Sequence, residues 1–128
     1  MDSLTRRHVR ERAGHRCEYC HLTEAQSPLA RLQIEHIVPR KHGGGDGLAN
    51  LALACIACNL HKGANLTGID PDTAQVVALF HPRTQPWAEH FAWNGCLLAG
   101  LSAVGRTTIR VLDVNSKDRL RVRVVSAR

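Results

Sequence analysis

Aromatic side chains are scarce in this 128-residue sequence: two Trp, two Phe and one Tyr, 4% of the whole. So few rings argue against a large interior packed on aromatics. No apolar run approaches the roughly 20 residues that cross a bilayer, which excludes a membrane-spanning helix. The opening stretch, "MDSLTRRHVRERAG", lacks the apolar core of a secretory signal. No internal repeat and no low-complexity tract is visible. A soluble, cytoplasmic chain without a membrane partner is therefore expected, and at this length a single domain with a modest core.

What is present in surplus is positive charge. The net charge is +6 and the isoelectric point about 9.6. It is spread evenly, with nine Lys and Arg against six acids in residues 1–64 and eight against five in 65–128. No detached basic tail accounts for it. Such a surplus fits a polyanionic partner, because each neutralised phosphate releases condensed counterions, although many basic domains bind nothing acidic.

Ser3 can cap a short helix reaching about Ala13 and ended by Gly14. "CEYC" reads as a tight turn, and "LQIEHIV" as a strand ended by Pro39. After the loop "KHGGGDGLAN" comes a second apolar run, "LALAC", and "ACNLHKGAN" suits a short helix closed by Gly63. Residues 64–75 read as a polar connection. Further on, Asn94-Gly95 signals a turn. "CLLAGL" and "TTIRVLDV" lean to strands on propensity, and "RLRVRVV" from Arg119 alternates like an edge strand or a charged surface.

The cysteines form a sharper pattern. Cys17 and Cys20, then Cys55 and Cys58, make two C-x2-C pairs with 34 residues between them. Two such knuckles can supply the four thiolates of a tetrahedral zinc site. A disulfide framework does not suit a reducing compartment, and a redox C-x-x-C accounts for one pair only. Four thiolates leave no open position, so the zinc is expected to be structural. Cys96, in an apolar run, reads as core.

Between the knuckles stands "EHIVPRKHGGG". His36 is followed after 13 residues by Asn50, and after eight more by Asn59, directly behind Cys58. The string "EHIVPRKHGG…NLALACIACNLHKG" resembles the HNH endonuclease family, over roughly residues 6–63. The resemblance implies an α+β ββα-metal core, a hairpin and a helix round one divalent cation, backed by the four-cysteine zinc site of residues 1–64. Residues 65–128 would be a small C-terminal extension packed on it. It also implies a metal-dependent DNA endonuclease: His36 activates water, Glu35 and Asn59 hold Mg²⁺ or Mn²⁺, and Asn50 positions the histidine.

Those roles suit the chemistry. Imidazole titrates near neutral pH and can take a proton from water. A carboxylate and an amide oxygen are hard ligands for Mg²⁺, which keeps several waters. Two departures stand out. The family often has aspartate at the position of Glu35 and histidine at that of Asn59. His61, two residues further along a helix, points about 200° away from Asn59, as a phosphate contact or a surface group. Neighbours on a regular strand face opposite sides, so Glu35 and His36 can share a centre only if the strand twists beside Pro39.

Arg40, Lys41, His42 and Lys62 could hold the DNA backbone, a contact that positions without reading bases. Double-stranded DNA of low sequence specificity is the expected partner, met by a monomer or homodimer. "LFHPRTQPWAEHFAW" resembles, more loosely, the stretch that follows the core in small bacterial members. Trp87, His90, Phe91 and Trp93 are expected to pack that extension, with a metal role for His81 or His90 the lesser reading. The competing class is a non-catalytic zinc module that binds nucleic acid, which explains cysteines and charge but not Glu35-His36 in register with two asparagines. A degenerate nuclease used for protein contacts is a third.

Overall fold

The computed structural model describes residues 1–126. In chain order these form α1 (Ser3–Arg12), β1 (Gln33–His36), β2 (Leu51–Ala54), α2 (Ile56–Lys62), β3 (Thr67–Ile69), β4 (Val76–Ala78), α3 (Trp87–His90), β5 (Phe91–Asn94), β6 (Leu97–Gly100), α4 (Ala103–Val111) and α5 (Lys117–Ser126). The strands make three separate antiparallel pairs, β1 with β2, β3 with β4 and β5 with β6. The class is α+β, as expected. No described helix is long and apolar enough to cross a membrane.

The first helix starts one residue earlier than expected. Asp2, not Ser3, is its cap, and the carboxylate accepts from Thr5 N at 2.7 Å. Val9 is buried beneath it, and α1 packs on β2. Arg12 holds that contact, donating to the carbonyls of Leu48 and Leu51 at 3.0 and 2.7 Å. In the hairpin, Gln33 faces Ala54 and His36 faces Leu51. All four residues of β2 are buried, because "LALA" is covered on both faces. Cys55 follows β2 at once and caps α2, its sulfur accepting from Cys58 N at 3.4 Å. Strand, knuckle and helix are thus one continuous piece, with α2 laid against β1.

The second half departs from propensity. "TTIRVLDV" lies in a helix and its exit, not a strand. Ser102 caps α4 by accepting from Gly105 N at 3.1 Å, and Gly105, Thr108 and Leu112 are buried at helical spacing. A side chain at Gly105 would stand 2.0 Å from the His90 carbonyl, so glycine lets α4 close on α3. The connection 64–75 contains β3 and the turn into β4. Asp70 organises that turn, accepting from Asp72 N and Thr73 Oγ1 at 3.1 and 3.0 Å. Arg106 of α4 clasps its carboxylate at 3.0 and 2.8 Å.

"RLRVRVV" is also helical. In α5, Arg119 and Arg123 lie one turn apart and face inward, onto the Leu112 and Val114 carbonyls at 2.6 Å each. Neither an edge strand nor a purely solvated face describes them. Cys96 is half-buried in the β5–β6 turn rather than in the core.

The scarce rings are pooled. Tyr19, Phe80, Phe91, Trp87 and Trp93 form one chain of neighbours, with centroids 5.1 to 6.4 Å apart. Such pairs add about 0.5–1.5 kcal/mol each beyond area burial. The cluster joins the two halves: Trp87 Nε1 donates to the Tyr19 carbonyl at 2.9 Å, and His21 stacks on Trp87 at 3.9 Å. His81 accepts from Arg83 N at 3.2 Å, and His90 bonds Ser102 Oγ at 2.6 Å.

Candidate metal centre and active site

Cys17, Cys20, Cys55 and Cys58 are all buried, and their four sulfurs lie within 4.8 Å of one another. Cys20 and Cys55 Sγ are 3.7 Å apart. A tetrahedron with zinc–sulfur arms of about 2.3 Å has edges of about 3.8 Å, so the donor set suits zinc in a closed, structural site. The first knuckle is shaped by backbone: Cys17 N donates to Leu22 O at 2.8 Å, and His21, at φ 64°, turns its N–H onto Cys17 O at 2.9 Å. Arg119 Nη2 approaches Cys58 Sγ at 2.9 Å. Burial alone would lower this guanidinium's pKa, but the surrounding thiolates of Cys58 and Cys20 outweigh it and push it above its ordinary range.

One hairpin residue further out, the side chains diverge. β1 keeps its register through His36, so Glu35 and His36 face opposite sides. No twist at this end of β1 brings them together. Glu35 points inward and is 4% exposed. Its Oε1 accepts from the Tyr19 hydroxyl, and its Oε2 from Lys62 Nζ at 3.2 Å. Lys62 also donates to the carbonyls of Ile37 and His36 at 2.9 and 3.4 Å. Burial pushes the Glu35 carboxyl above its usual range, while Lys62 and Tyr19 pull it back.

Asn59 sits one turn before Lys62 on α2. Its Nδ2 donates to Gln33 Oε1 at 2.6 Å. Two rungs therefore clamp α2 to β1, Gln33 with Asn59 and Glu35 with Lys62. The ammonium of Lys62 occupies the place beside Glu35 where a cation was expected. Lys62 itself, 2% exposed, is no surface contact for phosphate, which corrects that expectation. His61 is exposed on the far side of α2.

His36 faces outward, its side chain 21% exposed, and Nε2 lies 2.7 Å from Asp46 Oδ1. Arg40 Nη2 reaches the same oxygen at 2.9 Å, while Lys41 and His42 are exposed beside it. Asn50 holds the intervening loop. Its Oδ1 accepts from Val38 N at 2.8 Å, and its Nδ2 donates to Val38 O and Gly45 O at 3.0 and 2.8 Å. A Cβ at Gly44 would stand 1.7 Å from Val38 O, so only glycine allows that closeness.

A family model described as HNH endonuclease matches residues 17–65. Those residues form an HNH endonuclease domain. No curated protein and no solved structure matches the chain. The matched segment contains both knuckles, β1, β2 and α2, so the HNH domain is the hairpin and helix held by the four cysteines. HNH domains make up a family of nucleases and nucleic-acid-binding proteins.

Within the HNH domain and beside it, the structure adds residues that sequence patterns did not single out. Tyr19 and Gln33 complete the seam between β1 and α2. Asp46 was concealed in a loop otherwise read as basic and glycine-rich. A groove of about 470 Å³ opens between α1 and β1, lined by Arg6, Arg10, Arg31, Gln33 and Ile56 among others. Arg6 and Arg31 are exposed and have no ion pair among the described residues. Burial, then Arg31, depresses Arg10, which Glu24 only partly offsets. The run "TRRHVRER" was the available signal for this basic surface.

Proposed function

We propose that the chain is a metal-dependent endonuclease that hydrolyses phosphodiester bonds in double-stranded DNA, with His36 as the base that activates water. The observation that supports this reading most directly is the outward-facing His36 at the end of β1, within an HNH domain, beside a loop tied down by Asn50. A water proton passes to the imidazole, the hydroxide oxygen bonds to phosphorus, and the bond from phosphorus to the leaving sugar oxygen breaks. Arg40, Lys41 and His42 flank that centre. The groove of Arg6 and Arg31 is also lined by Gln33, the partner of Asn59. Both surfaces suit a phosphate backbone and neither suits base readout, which agrees with low sequence specificity.

A divalent ion, Mg²⁺ or Mn²⁺, supplies neutralisation of the charge that builds on phosphate and leaving oxygen. Asn59 is the more accessible of its two expected ligands. Glu35 can join it only by releasing Lys62 and Tyr19, so the pair is not a ready seat. That same ion pair is the observation in favour of the second reading, a zinc-held module that binds nucleic acid without cutting. Supercoiled plasmid with Mg²⁺ or Mn²⁺ separates the two. Nicking by the parent, abolished in His36→Ala, is the expected result; a gel shift with no cleavage in any divalent ion supports the binding module, and cleavage by His36→Ala equal to the parent removes the base.

A further inference from the structure

A general base must present an unprotonated nitrogen, and an imidazole has two. In His36, Nε2 lies 2.7 Å from Asp46 Oδ1. A carboxylate only accepts, so this bond keeps the proton on Nε2 and leaves the lone pair on Nδ1. We propose that Asp46 is a positioning residue for phosphodiester hydrolysis, fixing the tautomer and the ring orientation of His36 from across the glycine-rich loop. This assignment rests on the nuclease reading given above.

Three features of the loop suit Asp46 to that task. Asn50 bonds Val38 N, Val38 O and Gly45 O, which anchors the chain one residue before Asp46. Gly44 lets the loop back press on Val38 O at a separation no side chain permits. Arg40 Nη2 lies 2.9 Å from the very oxygen that receives His36, and it restrains the carboxylate from the outer side. The bond to His36, followed by the charge of Arg40, holds the Asp46 carboxyl below its usual range, so it remains an acceptor at neutral pH. Glu35, the acid adjacent in sequence, cannot do this, because it faces the opposite side of β1 and is taken up by Tyr19 and Lys62. The carboxylate–imidazole couple of this domain is thus formed over ten residues of chain, not between neighbours.

Asp46 is about half exposed, and exposed ion pairs contribute little to stability, so its removal is expected to leave the fold standing and expose the functional role. The test uses the full-length, zinc-loaded chain and the variants Asp46→Ala, Asp46→Glu and His36→Ala. Plasmid cleavage by Asp46→Ala is expected to show kcat lower by about tenfold or more, with KM, zinc content and melting temperature close to the parent, and partial recovery in Asp46→Glu. Nitrogen-detected imidazole NMR without DNA is expected to show the Nε2–H tautomer of His36 in the parent and its loss in Asp46→Ala. Undiminished kcat in Asp46→Ala, while His36→Ala is inactive, overturns the inference and leaves the nuclease reading intact. A parent His36 protonated on Nδ1 alone overturns it too. Cleavage by His36→Ala equal to the parent removes His36 as the base instead, and the tautomer then still decides whether Asp46 directs the ring.

Discussion

Removing the Lys62 ammonium tests what Glu35 does. Both side chains are almost fully enclosed, at 2% and 3% exposed. The three protons of Lys62 are used by Glu35 Oε2, Ile37 O and His36 O. In Lys62→Met the stem remains, but a buried carboxylate is left with Tyr19 alone and two carbonyls lose their donor. Breaking a buried pair by deleting one partner costs about 3–5 kcal/mol, a fifth or more of the ~5–15 kcal/mol that holds a domain of this kind together. For a chain of this length that is a fall in Tm of roughly 10–20 °C.

Glu35→Gln combined with Lys62→Met removes both charges, and the double variant should lose distinctly less than the two single losses added. The pH dependence has a definite sign. Glu35 already titrates above its usual range because it is buried, and loss of Lys62 raises it further. A raised carboxyl binds its proton more tightly when folded, so the deficit of Lys62→Met is largest at neutral pH and narrows as the pH falls through the folded pKa. Thermal melts of zinc-loaded protein between pH 5 and 8 measure all of this. A single-variant loss below about 1 kcal/mol, or strict additivity in the double variant, would refute the buried-pair account and return Glu35 to the pool of available metal ligands.

Cys17→Ser is expected to lose zinc and, with it, the fold, since structural zinc contributes on the order of 10 kcal/mol; a well-folded variant by circular dichroism, with the parent's metal content, contradicts the four-thiolate site. Replacing both Arg6 and Arg31 with Ala should weaken DNA binding at all sequences alike and reduce the slope of log K against log salt by about 2; an unchanged slope places the backbone elsewhere. Asp70→Asn should destabilise the chain at neutral pH, and the difference from the parent should shrink in acid. Arg106, above all, holds the Asp70 carboxyl below its usual range, so its contribution is complete above about pH 4 and fades as the pH falls towards the folded pKa. Equal sensitivity of parent and variant to acid argues against the Arg106 clasp. Gly44→Ala, which would set a methyl 1.7 Å from Val38 O, should abolish cleavage while the zinc knuckles remain intact, as read by metal content.

The cysteine spacing was enough by itself to indicate the four-thiolate site, and the HNH resemblance carried by His36, Asn50 and Asn59 implied the hairpin–helix core. The physical reason is that each knuckle is a local turn and each strand a short apolar run, so their chemistry is written in consecutive residues. The same resemblance singled out Asn50, whose amide bonds Val38 and Gly45 of the loop rather than His36 itself. Tertiary structure decided the rest. Which way Glu35 points depends on a partner 27 residues away on α2, and the carboxylate that meets His36 comes from a loop whose path is set by Asn50 and Gly44 rather than by adjacency. The two C-terminal stretches read as strand-like became α4 and α5 because Ser102 caps the first and because Arg119 and Arg123 find buried acceptors only at helical spacing. Propensity, worth a few tenths of a kcal/mol per residue, yields to contacts of that kind, and those contacts exist only once the chain has folded.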